Sequence, residues 1–189
     1  IKVPTIGMHN IRNAAAPIAV SSSVGISEKI IKKALFEFEG VQRRFTKVFS
    51  FNNVSFYDDY AHHPTEIKEV INGISEVYKE KKIICIFQPH RISRLKTLRK
   101  EFSHAFKKVD TVVLCPIFKA GENIKLGFKY SNFAKEIIKN SKVKLFLIKN
   151  ELDLAKFTKQ NIYGQQLVVG MGAGSISSWI RNLPKVLQK

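Results

Sequence analysis

From residue 54 to residue 187 the chain alternates short, almost wholly apolar runs with stretches of helical period, and few folds accept that rhythm. VSFYD (54–58), IICIFQ (83–88), TVVLC (111–115), VKLFLI (143–148) and QLVVG (166–170) have strand length. Between them PTEIKEVINGISEVYK (64–79), residues 95–107, SNFAKEIIKN (131–140) and ELDLAKFTKQ (151–160) read as helices, and residues 175–187 close as another. In the first of these Ile67, Val70, Ile71, Ile74 and Val77 share a face, with Pro64 in the opening turn. A strand apolar on both faces must be covered on both, so the pattern predicts an α/β fold: a mostly parallel sheet with helices on both faces. FTKVFS (45–50) is expected as an extra strand at the sheet edge.

The first part of the chain is different. Residues 10–23 are alanine-rich and predicted helical, with Pro17 as an irregularity. Residues 27–38 read as a second helix with Ser27 as N-cap. Ile30, Ile31, Ala34, Leu35 and Phe38 form its apolar face, and Gly40 ends it. The chain starts at Ile1 rather than a methionine, and Met8 falls inside a motif-like stretch, so a piece of a longer chain is expected.

Ligands of such sheets bind beyond the carboxyl ends of the strands. The loops there are DYAHHP, PHRISR, PIFKAGE and MGAGS, and all four should share one edge. Each has a plain structural reading. Asp59 could end a strand, and His62 or His63 could cap the helix at Pro64. The glycine-rich loop is either a tight turn or a place where backbone approaches a ligand. Arg91 and Arg94 would share a helical face, and two guanidiniums suit a carboxylate or phosphate. Lys119 and Glu122 read as solvated. A further reading makes Asp58, Asp59, His62 and His63 ligands of a two-metal phosphoesterase site.

Composition narrows the classes. With 189 residues, 44% hydrophobic, the chain suits one domain or one domain plus a piece. No apolar run approaches the ~18–20 residues of a membrane span, and no signal-peptide pattern is visible. Cys85 and Cys115 lie inside apolar runs and read as buried, reduced thiols, which suits the cytoplasm. The formal charge of +17 is mostly dispersed lysine. It reads as a solvated surface compatible with an anionic substrate such as a nucleotide; neither a nucleic acid nor a membrane is expected as partner.

Taken in order, GMHNIRN, EGVQRRF, DDYAHHPTEI, FQPHRISR, KAGE and GAGSI resemble the C-terminal part of the Mur ligase family over nearly the whole chain. DYAH alone is common to the wider family. DDYAHHPTEI followed by FQPHRISR is similar to the member that adds L-alanine to UDP-N-acetylmuramate, with the murein-peptide recycling ligase as the alternative. The resemblance implies that residues 1–45 are the tail of a central ATPase domain and that 46–189 are a Rossmann-like C-terminal domain. It implies ATP-dependent amide formation through an acyl phosphate. His9, Asn10 and Asn13 would approach ATP, Arg44 the transferred phosphate, and Asp59 the ribose and the cleft. His62 joins Arg44 and Asp59 as a catalytic candidate. Tyr60, His90, Arg91 and Arg94 would form the L-alanine pocket. No phosphate-binding Gly-Lys-Thr/Ser loop occurs here, and neither does a UDP-binding domain. The Mg2+ ligands are expected in those missing domains, no metal ligand is assigned here, and the isolated piece is expected to be inactive.

Overall fold

A computed structural model describes residues 6–122 and 128–188. The first five residues of the expected 1–45 segment lie outside them. Two helices, α1 (Met8–Ser23) and α2 (Glu28–Phe36), precede the sheet. α1 runs through Pro17, whose missing N–H leaves the carbonyl of Asn13 without its helical partner. α2 is shorter than expected: it stops at Phe36 with Glu37 as C-cap, before Gly40, and Ser27 makes no side-chain cap bond.

The strands are β1 (Thr46–Phe51), β2 (Val54–Asp59), β3 (Lys82–Phe87), β4 (Thr111–Leu114), β5 (Lys144–Leu147) and β6 (Gln166–Met171). They form one sheet in the order β1-β2-β6-β3-β4-β5. All neighbours are parallel except β1, which lies antiparallel to β2 at the edge, as the extra strand should. Asn52 and Asn53, both at positive φ, make the β1–β2 turn, a position for which asparagine is well suited.

α3 (Pro64–Val77), α4 (Ile92–Thr97), α5 (Arg99–His104), α6 (Tyr130–Ser141), α7 (Glu151–Asn161) and α8 (Ile176–Leu187) cover the sheet. The single helix expected over 95–107 is two short ones, broken at Leu98. Side chains alternate along each strand. Cys85, Phe87, Val112, Leu114, Val169 and Met171 pack with α3, α5 and α6 on one face. Ile84, Ile86, Val113, Cys115 and Val168 pack with α7 and α8 on the other. Both cysteines are buried and free, on opposite faces. Val77, expected on the buried face of α3, is exposed at its last turn. Among the described residues no helix is long and apolar enough to cross a membrane.

Candidate active site

The same alternation decides the fate of the adjacent acids Asp58 and Asp59 at the end of β2. Asp58 turns toward α8, where its Oδ2 accepts hydrogen bonds from Ser177 Oγ at 2.6 Å and the Arg181 guanidinium at 3.2 Å. Asp59 turns the other way. Its two oxygens accept the backbone N–H groups of Phe45 and Ala61, each at 2.8 Å. It is only 2% exposed, and burial pushes its carboxyl up to about 6 despite those two bonds and the nearby Arg44.

Asp59 lies in the wall of an open groove of about 930 Å³ between α1–α2 and the sheet domain. His9, Asn10, Asn13 and Arg44 line the same groove. The expected nucleotide-facing residues therefore come from three separated segments into one space. Gly7 and Gly73 allow α1 to close against α3: a Cβ on Gly73 would fall 2.9 Å from Gly7 Cα. Burial lowers the His9 imidazole from its ordinary value, and its Nδ1 is buried without a hydrogen-bond partner.

A second cluster sits at the carboxyl ends of β2 and β3. The rings of Tyr60, His62, His90 and Phe118 follow one another at centroid distances of 5.2, 5.6 and 5.6 Å. Arg43 stacks over Tyr60 at 4.6 Å and donates to the carbonyl of Gly172 at 2.7 Å. Arg94 donates from Nη1 to His90 Nδ1 at 3.4 Å. Burial, then Arg94, lowers His90 from the usual imidazole value. Arg91 is the residue before α4 rather than part of it, with φ 68 and ψ 131, so the two arginines do not share a helical face. That backbone conformation is strained for any residue but glycine.

Several residues without an assigned role hold this cluster. His63 caps α3: its ring Nδ1 accepts from Thr65 N, and Glu66 reaches back to accept the backbone N–H of His62 and His63 at 3.0 and 3.1 Å. The capping reading thus applies to His63. Burial alone would raise Glu66, but those two N–H groups and His62 bring it below its ordinary value. Glu122 is not merely solvated. Its carboxylate accepts the backbone N–H of Ile92 at 2.7 Å and the hydroxyl of Ser93, capping α4 from a distant loop. Buried Gln88 bonds Ser175 Oγ and Ile176 N across the glycine loop. A Cβ on Gly174 would lie 2.5 Å from both Gln88 Oε1 and Phe118 Cγ. Gly172 and Gly174 therefore allow close packing against Gln88 and Phe118. His63 and Glu66 stand three apart, a capping-box spacing visible in HHPTE. Gln88 and Phe118 carry no comparable local signal.

The two-metal reading of Asp58, Asp59, His62 and His63 is overturned. The acids face opposite sides of the sheet, and His63 spends its Nδ1 on a helix terminus. Among the described residues no group of three His, Cys, Asp or Glu could hold a metal ion.

The family model "Mur ligase, glutamate ligase domain" matches residues 43–174. The chain is 63% identical over 187 residues to the UDP-N-acetylmuramate–L-alanine ligase of Pelagibacter ubique, covering 99% of this chain and 40% of that protein. It is 42% identical to the ligase of the same name from Agrobacterium fabrum, over 98% of the chain and 39% of that protein. The crystal structure of the UDP-N-acetylmuramate–alanine ligase of Thermotoga maritima superposes with a TM-score of 0.81 at 29% identity, over 100% of this chain and 40% of that one. A murein peptide ligase from Psychrobacter arcticus, 20% identical with a TM-score of 0.73, shares the fold. The chain thus spans about 40% of the length of the curated relatives it matches.

Proposed function

Because this chain belongs to the Mur ligase family, we propose that it is the C-terminal part of an ATP-dependent ligase that joins L-alanine to UDP-N-acetylmuramate in the cytoplasm, for peptidoglycan synthesis. One observation carries the reading: His9, Asn10, Asn13, Arg44 and Asp59 line one groove, and Tyr60 and His62 on the next residues of the same loop begin the second cluster. A nucleotide in the groove and an amino acid at the rim would then meet across the β2–α3 loop. The high identity to L-alanine ligases favours that acceptor.

In this reading the muramoyl carboxylate takes the γ-phosphoryl group of ATP, and the amine of L-alanine displaces phosphate. Arg44 neutralises charge on the transferred group. Arg91 and Arg94 hold the acceptor carboxylate and leave its amine free. The acids at this site do not fit a resident Mg2+: Asp59 and Glu66 are engaged by backbone N–H groups, and Asp58 by α8. The ion would be held by residues upstream, and its charge would oppose that of the phosphates. The uncovered apolar side chains of α1 and α2, among them Ile11, Val20, Ile30 and Phe36, would pack on the rest of the central domain.

The test is a chimera of this chain with the N-terminal part of the Pelagibacter relative. It should release phosphate only when ATP, UDP-N-acetylmuramate and L-alanine are all present. The chain alone should release none, having no phosphate-binding lysine loop. A folded chimera that forms no amide overturns the reading, as does turnover by the chain alone.

A further inference from the structure

The two imidazoles of the rim are held in opposite tautomers. A ring nitrogen that faces only acceptors carries the hydrogen; one that faces a guanidinium carries the lone pair. His62 Nδ1 lies 3.0 Å from the carbonyl oxygen of Tyr60 and 3.4 Å from Glu66 Oε2. Neutral His62 therefore has its hydrogen on Nδ1 and its lone pair on Nε2, which makes no hydrogen bond among the described residues. His90 is the reverse: its Nδ1 accepts from Arg94, so Nε2 bears the hydrogen. Burial, then Arg94, disfavours the charged form of His90. The two rings meet edge to face with their centroids 5.6 Å apart, so the free Nε2 of His62 and the Nε2–H of His90 belong to one cluster.

We propose that Glu66 is a positioning residue that holds His62 with Nε2 free, and that this nitrogen takes the proton from the α-ammonium of the incoming amino acid. His90 donates its Nε2–H to the carboxylate at the other end. The proposal rests on the amide-forming reading above. An amino acid arrives as an ammonium with no lone pair and cannot attack until it loses a proton. His62 Nε2 removes one proton. The freed pair forms the C–N bond to the acyl carbon, the bond from that carbon to the phosphate oxygen breaks, and phosphate leaves with the second amine proton. His62 then returns its proton to water. Arg44 acts on Glu66 from the loop before β1, His90 faces His62 from the β3–α4 connection, and Arg94 acts on His90 from α4.

The tautomers are tested on the 189-residue chain itself, by ¹⁵N spectra of its histidine rings at alkaline pH. His62 should show a hydrogen on Nδ1 and His90 a hydrogen on Nε2. In Glu66→Gln, which keeps an oxygen for the helix cap, the Nδ1–H population of His62 should fall. A hydrogen on His62 Nε2 in the parent overturns the proposal. The proton step is tested in the chimera by replacing L-alanine with hydroxylamine, a neutral nucleophile that needs no base. His62→Asn should lower kcat with L-alanine by about 10²-fold yet keep forming hydroxamate. Equal loss of both products overturns the base assignment. A parent chimera that makes no hydroxamate overturns the ligase reading itself, and the proton step with it.

Discussion

Asp59 is a carboxyl whose surroundings pull in opposite directions. Burial favours its neutral form, while two backbone donors and Arg44 favour its charge, and burial wins. Its carboxyl carbon should titrate by NMR with a midpoint near 6, well above an ordinary aspartate. Arg44→Ala should move that midpoint further up, because a positive neighbour is removed. An acid raised in the folded state stabilises the fold while protonated. That contribution is complete below the unfolded value of about 4 and is lost as pH rises through about 6, a change of about 2–3 kcal/mol. The carboxylate side of the site has its own test at residue scale. Arg91 sits in a strained backbone conformation. Arg91→Gly should relieve about 1 kcal/mol of strain and raise the melting temperature of the chain by a few degrees. In the chimera the same change should raise KM for L-alanine on the order of ten- to a hundredfold, leaving KM for ATP nearly unchanged. A change in ATP saturation alone would place Arg91 against the phosphates.

At the scale of elements, the rim depends on two short pieces fixed from far along the chain: α4, capped by Glu122, and the glycine loop, fastened by Gln88. Gly174→Ala has no room for its methyl between Gln88 and Phe118. It should cost about 1–3 kcal/mol in chemical denaturation and disturb the stacking of Phe118 on His90. Glu122→Ala should lower the melting temperature as α4 loses its cap, whereas a solvated glutamate would leave it unchanged. These dependences mark where sequence reasoning stops. The parallel strands were legible because their runs are mostly apolar, and the four candidate loops followed from their ends. The break at Leu98 was not, since the apolar period continues across it and no glycine or proline marks it. Asp58 and Asp59 looked like one constellation, although the twofold period of a strand already sends neighbours to opposite faces. Gln88 and Phe118 act through residues 87 and 88 positions ahead and 28 positions back in the chain, respectively, which no local pattern encodes.

For the molecule as a whole, the boundary between the leading helices and the sheet domain runs through residues that serve both. Phe45 stacks on Tyr57 at 4.1 Å, and Arg43 reaches Gly172. We place the start of the independently folding unit slightly before these residues. A chain beginning at Val41 should unfold cooperatively, while one beginning at Thr46 should lose about 1–3 kcal/mol with Phe45 and Arg43 gone. The strand order carries a further consequence, one of time rather than energy. β6, the last strand in the chain, lies between β2 and β3, so the β1–β2 pair and the β3–β4–β5 set have no shared edge until it arrives. A ribosome that has released residues 1–163 has therefore exposed an open seam in the middle of a sheet, lined by Val54, Phe56, Ile84 and Ile86. The nascent chain must stay unaggregated in that state until its final strand emerges, and a chain cut after Tyr163 should show no cooperative unfolding at all.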